Sequence, residues 1–294
     1  MKQTYRNRSK RVEKPLYRTW IIFMVAFLIL CLCAICVIMH QKQTDAKLAD
    51  TESEPEKMQE STPSAVKLST PLPEQQTEAP PAQTELHWLR KNLDKEKPMV
   101  ALTFDDGPYT PVTSTILDTL KKYNAKATFF VVGNRVPTYS SIMKRAYDEG
   151  NEIASHTYSH AYLNRLEKKQ LQKEYNRANK KISDVIGSNP NALRPPGGFV
   201  DKKTKKTIPV PLILWSVDTE DWKSRNAQSI LKRCRTIRDG DIILMHDLYS
   251  STSQAIKKLV PRLTRKGFQL VTIEELFYYK NVNPKSGNVY TCAR

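Results

Sequence analysis

The sequence predicts a single α/β domain with a mainly parallel sheet over residues 97–280. Apolar segments of strand length alternate with amphipathic segments of helix length in this part of the chain, an order typical of repeated strand–helix units. All nine glycines of the chain also lie beyond residue 97, and several follow predicted helices, where a left-handed residue commonly ends a helix. The length of this segment suits one domain.

The predicted elements alternate regularly along the chain. The expected strands are residues 99–104, 126–132, 151–155, 191–194, 210–217, 241–246 and 268–272. The expected helices are residues 112–123, 138–149, 167–186, 226–237, 253–266 and 273–279. Pro261 lies inside one of these helices, so we expect a kink or a break there.

An uncharged apolar segment precedes this domain. Residues 20–39 carry no charged side chain and, at about 1.5 Å of rise per residue, would form a helix about 30 Å long, the thickness of a bilayer core. Basic side chains crowd residues 1–19, which predicts a cytoplasmic N-terminus, a single transmembrane anchor and export of the rest. A cleaved signal peptide is the competing interpretation, although the apolar segment is long for one.

The segment between the anchor and the domain has a different composition. Residues 40–96 are rich in Pro, Thr and Glu, contain no glycine and show no apolar periodicity, so we predict a disordered extracellular stalk. Residues 281–294 would form a C-terminal tail after the domain. Cys234 is expected to be a buried thiol, and its pairing with Cys292 is left open by the sequence.

The charge balance indicates the kind of partner. The formal net charge is +17, which favours anionic surroundings such as cell-wall polymers. Nucleic acid is not an expected partner, because no motif interleaves aromatic and basic residues and an exported domain rarely meets that ligand.

Most chemically capable side chains follow predicted strands. Parallel sheets bind ligands at the carboxyl ends of their strands, so residues at these positions would come together. They are Asp105 and Asp106 after the first strand, His156 and His160 after the third, Arg194 after the fourth, Asp218, Asp221 and Trp222 after the fifth, and His246 and Asp247 after the sixth.

Three of these residues form a candidate metal set. His156 and His160 would lie one turn apart on one helical face, close enough to share an ion. With a carboxylate from a neighbouring strand end they make an open three-ligand set, for which zinc is the first choice. Similar ligands hold Fe(II) in oxygenases, but the carboxylate spacing and the fold of those proteins differ. Of the two adjacent acids, one would bind the ion and the other would point the opposite way from an extended backbone and remain a base.

The segments TFDDGP, HTYSH, RPPGG, DTEDW and ILMHD occur in this order along the chain. Together they resemble the five motifs of the polysaccharide deacetylases, carbohydrate esterase family 4. The resemblance covers roughly residues 97–280 and implies a distorted (β/α) barrel of about seven strands. It also implies metal-dependent removal of acetate from N-acetylated sugars.

The resemblance implies a role for each matched residue. Asp105 would be the general base, held and tuned by Arg194. The metal would be bound by Asp106, His156 and His160.

The other half of the site would supply the acid and the pocket. His246 would be the general acid, oriented and charged by Asp221, and Trp222 and Leu244 would line the sugar pocket. Gly197 would donate its backbone N–H to the oxyanion. Many family members carry an aromatic residue where this chain has Gly197, so we expect a wider or looser groove wall there.

These observations predict a membrane-anchored hydrolase that deacetylates N-acetylglucosamine in peptidoglycan outside the cell. Poly-N-acetylglucosamine or a chitin-like glycan is the alternative substrate, and O-acetyl ester hydrolysis could use the same site. A non-catalytic module that binds wall glycans is the alternative from another class. The complete set of metal and acid–base residues argues against that module.

Overall fold

The structure is a computed structural model that describes residues 89–294. The predicted cytoplasmic tail, the anchor and most of the stalk lie outside these residues. Within the described part, no helix has both the length and the apolar character needed to cross a bilayer.

Eight strands and eight α-helices are found in residues 89–294. The strands are β1 (Met99–Asp105), β2 (Thr128–Val131), β3 (Glu152–Ser155), β4 (Leu212–Ile213), β5 (Val217–Asp218), β6 (Asp241–His246), β7 (Gln269–Val271) and β8 (Val289–Tyr290). The helices are α1 (Val112–Lys122), α2 (Val136–Asp148), α3 (Lys168–Ile186), α4 (Lys202–Thr207), α5 (Asp221–Ser224), α6 (Ala227–Arg233), α7 (Ser250–Arg265) and α8 (Ile273–Tyr279).

The main sheet is parallel, which confirms the predicted α/β fold with parallel strands. Its order is β3-β2-β1-β6-β5, and β7 pairs with the first residues of β1. Single-residue bridges from Ser155 to Leu193 and from Leu193 to Leu212 continue the pairing from β3 to β4. Because β1 lies between β2 and β6, side chains at the carboxyl ends of these three strands are neighbours.

Strand β1 is buried on both faces, as expected for the centre of a parallel sheet. Its alternate residues Val100, Leu102 and Phe104 belong to a core cluster that also contains residues of α1 and α7. The intervening residues face the other way, and this second face ends in the polar side chains Thr103 and Asp105. Because side chains alternate along the strand, the side chain of Asp105 lies in the interior where β1 ends.

Helix α7 packs an apolar stripe against α1 and the sheet. Leu259, Val260 and Leu263 of this helix are at most 2% exposed, and the helix continues through Pro261 without interruption. The predicted break is therefore wrong. Proline removes one backbone hydrogen bond and destabilises a helix by about 3 kcal/mol. Burial of each leucine or valine side chain stabilises the fold by about 1.5–3 kcal/mol.

Two predicted strands differ from the structure. The strand expected at 191–194 reduces to the single bridged residue Leu193, and the strand expected at 210–217 divides into β4 and β5. Prolines at 190, 195 and 211 cannot donate to a ladder, which explains the short pairings.

Both ends of the described chain pack on the domain. Leu89 and Leu93 contact a core cluster, so the folded part begins before residue 97. The predicted tail at 281–294 contains β8, which pairs with β4. A two-residue strand shows no alternation, so the sequence could not reveal it. Cys234 is buried and both it and Cys292 are free.

Candidate active site

The carboxyl ends of neighbouring strands meet at one place. Asp105 is the last residue of β1 and lies in register with His246, the last residue of β6. Strand β3 ends at Ser155, and His156 follows it directly. The structure therefore brings the base, metal-ligand and acid candidates to the same edge of the sheet.

The Asp105 carboxylate is held by a buried arginine. Arg194 Nη1 donates to Asp105 Oδ1 at 2.7 Å and to Thr103 Oγ1 at 2.7 Å. Its other nitrogens donate to the carbonyls of Ile213 at 3.1 Å and Leu214 at 2.9 Å. Arg194 is 0% exposed, and these bonds fix its position. A charge-assisted bond from a fixed guanidinium orients the carboxylate that receives it.

Asp106, His156 and His160 converge as a possible metal set. Their ligand atoms all lie within 4.8 Å of one another. Asp106 Oδ1 is 3.4 Å from His156 Nε2 and 3.2 Å from His160 Nε2. Burial alone would raise the pKa of Asp106, but the two imidazoles outweigh it and hold that pKa below its usual range. The same contact with Asp106 raises the pKa of His160.

The hydrogen bonds of this group fit a cation. His156 Nδ1 lies 2.7 Å from the carbonyl oxygen of Arg194. A carbonyl only accepts, so Nδ1 carries the proton and a neutral His156 presents a lone pair at Nε2. Asp106 Oδ1 is itself buried and has no hydrogen-bond partner within residues 89–294. His156 Nε2 and Asp106 Oδ1 are 3.4 Å apart, and a metal ion between them would accept a lone pair from each.

The loops reach this arrangement by a route that the sequence analysis did not predict. Residues 156–160 are not helical, and both Thr157 and His160 have left-handed backbones, with φ of 65° and 60°. The prediction that the histidines are spaced by a helical turn is therefore wrong. Asp106 also has a φ of 71°, so the two acids diverge through a left-handed residue rather than through an extended backbone.

His246, the candidate general acid, is held by the Asp221 carboxylate. His246 Nδ1 lies 2.7 Å from Asp221 Oδ1, and Asp221 Oδ2 accepts from the His246 backbone N–H at 2.7 Å. Asp221 is 0% exposed. Burial alone would lower the pKa of His246, but the hydrogen bond and charge of Asp221 raise that pKa to about 9. An imidazolium with this partner can donate a proton at neutral pH.

The remaining site residues flank these groups. Trp222 follows Asp221 in α5 and is 48% exposed, whereas Leu244 lies two residues before His246 and is 4% exposed. Gly197 has a φ of 66° within the turn Pro196–Gly198. Its N–H makes no hydrogen bond with any described residue, so it is available to a ligand.

The space beside Gly197 is already occupied. A Cβ placed on Gly197 would lie 2.8 Å from the Phe199 ring and 3.1 Å from the Tyr162 ring. The wider groove wall expected at this position stays a prediction, and two other rings lie against the position. Their sequence positions lie outside the five motifs, so motif spacing could not identify them.

Two supporting hydroxyls were missed by the sequence analysis. Thr103 Oγ1 donates to the carbonyl of Ile243 at 2.7 Å while it accepts from Arg194. Thr252 Oγ1 donates to Asp221 Oδ2 at 2.6 Å. The alternation of β1 gave a usable signal for Thr103, since it shares a face with Asp105. Thr252 had no such signal, because only the tertiary packing of α7 brings it to Asp221.

Asp247 fixes the loop that carries the acids. It is 0% exposed, its Oδ2 accepts from Thr113 Oγ1 at 2.5 Å, and burial raises its pKa to about 7. A Cβ on Gly107 would lie 2.1 Å from Asp247 Oδ1, so only glycine fits there.

Asp218, to which the sequence also assigns no role, accepts a hydrogen bond from the Glu220 N–H at 2.8 Å.

Comparisons with known proteins agree with this geometry. The family model described as polysaccharide deacetylase matches residues 92–208. The chain is 40% identical over 184 residues to a peptidoglycan N-acetylglucosamine deacetylase of Listeria monocytogenes, with 62% of this chain and 40% of that protein covered. It is also 40% identical over 187 residues to a peptidoglycan N-acetylmuramic acid deacetylase of Bacillus subtilis, with 63% and 40% covered. The chain thus spans well under half the length of these two relatives.

A shorter relative and a solved structure match along nearly their whole length. A peptidoglycan N-acetylglucosamine deacetylase of Bacillus cereus is 35% identical, with 66% of this chain and 93% of that protein covered. The structure of a family 4 acetyl xylan esterase from Clostridium thermocellum, in complex with a cobalt ion, is 33% identical, with a TM-score of 0.63 and coverage of 66% and 98%. This chain belongs to the polysaccharide deacetylase family.

Proposed function

We propose that this chain is a metal-dependent hydrolase that removes acetyl groups from N-acetylglucosamine in peptidoglycan and releases acetate. One observation carries the proposal: the buried Asp106 oxygen that lacks a hydrogen-bond partner lies between two imidazoles. The same edge of the sheet carries a carboxylate held by Arg194 and an imidazole held by Asp221. Amide hydrolysis needs a base, an electrophilic ion and an acid, and this edge of the sheet offers a candidate for each.

The ion would be held by Asp106, His156 and His160, and we propose Zn²⁺. Nitrogen and carboxylate ligands in an open set of three are typical of catalytic zinc. A bound ion of this kind lowers the pKa of water and polarises a carbonyl. The cobalt complex of the related esterase supports a divalent ion in this family.

The other residues of the chain would handle the protons and the developing charge. Asp105, oriented by Arg194, accepts a proton from the attacking water. His246 donates a proton to the sugar nitrogen as the amide C–N bond breaks, and Asp221 stabilises its charged form. The free N–H of Gly197 donates to the carbonyl oxygen as that atom gains negative charge, a contact typically worth about 3 kcal/mol.

Trp222 and Leu244 would contact the acetylated sugar. Trp222 offers a half-exposed ring beside Asp221, whereas Leu244 is nearly buried and could present only a small apolar surface. The substrate assignment is supported by the names of relatives that act on N-acetylglucosamine in peptidoglycan. The Bacillus subtilis relative is named for N-acetylmuramic acid, so both sugars of the wall belong in the test, together with chitin-like glycans.

We also propose that residues 20–39 anchor the chain in the cell membrane, with residues 1–19 in the cytoplasm and the catalytic domain outside. The uncharged length of the anchor supports this placement, and the net charge of +17 suits the anionic polymers of a cell wall. The pairing of β3 with Leu193 and of Leu193 with β4 supports closure of the sheet as a distorted barrel.

Acetate release from defined glycans tests the proposed function. The purified chain is incubated with peptidoglycan, N-acetylglucosamine oligosaccharides and acetylated xylan, with and without a chelator. We expect acetate from the first two, loss of release with the chelator, and recovery on adding Zn²⁺. Asp105→Asn should retain the metal and release no acetate. A wild-type protein that binds glycan and releases no acetate with any divalent ion would instead be a binding module.

A further inference from the structure

Two exposed aromatic side chains lie beside the candidate metal set and have no assigned role. Among the described residues, the large apolar side chains that are clearly exposed are Tyr162, Phe199, Trp222 and Tyr278. Tyr162 is 38% exposed and Phe199 is 49% exposed. Adjacent exposed aromatic rings next to a polar cleft are typical of a ligand contact rather than of a core.

The rings form a continuous row that begins at the metal ligands. The ring centroids of His156 and His160 are 5.0 Å apart, and those of His160 and Tyr162 are 6.3 Å apart. Tyr162 and Phe199 follow at 5.5 Å with an interplanar angle of 88°. The edge-to-face contact fixes the two rings relative to each other. The row therefore extends outward from the reacting centre along one wall.

A cation stabilises the same wall. The Arg165 guanidinium lies 5.0 Å from the centroid of the Tyr162 ring, which is within cation–π distance. Arg165 and Tyr162 belong to one short turn, Leu163–Arg165 and the residue before it, so the ring is held from its own loop. Phe199 comes from the separate loop after Pro196–Gly198. Two independent loops thus contribute to one aromatic surface.

The absence of a side chain at Gly197 permits this surface. Any side chain at that position would begin 2.8 Å from Phe199 and 3.1 Å from Tyr162, which is too close for the rings to stay where they are. Glycine at position 197 therefore leaves room for the Phe199 and Tyr162 rings.

We propose that Tyr162 and Phe199 form a binding platform for a sugar ring of the glycan strand that neighbours the acetylated sugar. The inference rests on the proposed function, because it requires a glycan substrate. In β-linked N-acetylglucosamine the ring substituents are equatorial, so the two faces of the ring present C–H groups. Because the two rings are nearly perpendicular, with an interplanar angle of 88°, one ring would stack on the C–H face of the sugar while the other contacts its edge. Trp222, on the side of Asp221 and His246, is left for the acetylated sugar itself.

Kinetics on substrates of different length test the platform. The full-length chain and its Tyr162→Ala and Phe199→Ala variants are compared on an N-acetylglucosamine pentasaccharide and on a small aryl acetate without sugars. We expect each variant to raise KM for the pentasaccharide by about tenfold, equivalent to about 1.4 kcal/mol, with little change in kcat. The increase in KM for the aryl acetate should be several-fold smaller. Tyr162→Phe keeps the ring and should restore the wild-type KM.

Tyr278→Ala is the matched control, because Tyr278 is 51% exposed and lines a separate cavity with Glu152 and Glu274. It should leave both substrates unaffected. An unchanged pentasaccharide KM in both platform variants overturns the inference, as does an equal loss on the aryl acetate. If the wild-type chain releases acetate from the aryl ester but from no glycan, the proposed function fails instead. Binding of the pentasaccharide, measured by calorimetry, then decides separately whether the platform exists.

Discussion

Two clusters of buried charge lie at opposite ends of the strands, and their hydrogen bonds differ. At the amino ends of β2 and β3, Glu275 accepts from Arg90 through both oxygens, at 2.7 Å and 2.8 Å. Glu152 accepts from Thr128 Oγ1 at 2.8 Å. At the carboxyl end of β1, the buried Asp106 Oδ1 accepts no hydrogen bond from any residue that the structure describes.

The difference separates structural charge from functional charge. A buried carboxylate costs stability unless donors compensate it. Glu275 has its arginine donors within the chain, whereas burial and the neighbouring Glu274 raise the pKa of Glu152 to about 7. Asp106 instead lies against the imidazoles of His156 and His160, which lower its pKa against the effect of burial. Its neighbours are metal-ligand side chains rather than arginine or hydroxyl donors, so this end of the strands is suited to bind an ion.

The largest expected effect comes from removing the Asp106 carboxylate. Asp106→Ala should lower kcat/KM for acetate release by about 10⁴-fold, because ion binding supplies several kcal/mol to the reaction. Metal content by atomic absorption should fall in parallel, while the circular dichroism spectrum stays native. A variant that keeps one tightly bound ion per chain and its activity would break the comparison.

The next effect concerns the acid. Burial alone would lower the pKa of His246, but the Asp221 carboxylate raises it to about 9. Asp221→Asn removes that charge, so kcat at neutral pH should fall by about 100-fold, within the range for a general acid. The limb of the pH–rate profile at high pH should move to lower pH in the variant. A bound cation also lowers this pKa, so the shift between the two proteins is the quantity to measure. An unmoved limb would exclude His246 as the acid.

The same pair links stability to pH. The pKa of His246 is higher in the folded protein than its ordinary value of 6.5. The protonated pair therefore stabilises the fold fully below about pH 6.5 and loses this contribution as the pH rises through about 9. Chemical denaturation at several pH values should show this decline in the wild type. Asp221→Asn should flatten it, and an equal slope in both proteins would contradict the assignment.

A smaller effect is expected from the hydroxyl that supports the base. Thr103→Val keeps the shape of the side chain but removes the acceptor of Arg194 Nη1 and the donor to the Ile243 carbonyl. Leaving a buried polar group unpaired costs about 1–3 kcal/mol. We expect a comparable loss of stability in urea and a kcat lower by about tenfold as Asp105 loses its fixed orientation. Thr119→Val, a helix threonine outside the site, is the matched control and should leave kcat unchanged.

The smallest effect on catalysis is expected at the amino end. Glu275→Gln removes the charge that pairs with Arg90, whose side chain is 16% exposed against 2% for Glu275. Breaking such a pair costs about 3 kcal/mol or more, so the urea midpoint should fall clearly. The kcat should stay within about twofold of wild type. A large loss of kcat at full folding would show that the two ends are not functionally separate.

The sequence predicts the strand ends better than the loops between them. Alternation in β1 and the polar residues that follow β1, β3 and β6 were sufficient to predict which side chains meet. The left-handed backbones of Asp106, Thr157 and His160 could not be predicted, because Asp and His adopt this region only occasionally and the β-branched Thr disfavours it. They arise because tertiary contacts, such as the bond of His156 to the Arg194 carbonyl, constrain the loop.

The same reason explains the other differences. The platform residues Tyr162 and Phe199 belong to no motif and become neighbours only when two loops pack together. Strand β8 is too short to show a period, yet it pairs with β4 and brings the C-terminal residues onto the domain. Contacts between distant residues decided each of these features, and a single sequence carries little local signal for such contacts.

The central claim is that Asp106, His156 and His160 bind one divalent ion at the carboxyl end of the sheet. A crystal structure of the zinc-loaded protein, with anomalous scattering recorded at the zinc edge, tests it most directly. We predict one strong peak about 2.0–2.2 Å from an Asp106 oxygen and from Nε2 of both histidines. A peak elsewhere, or a fully loaded protein in which a His156 N–H donates to Asp106 with no ion between them, would contradict it.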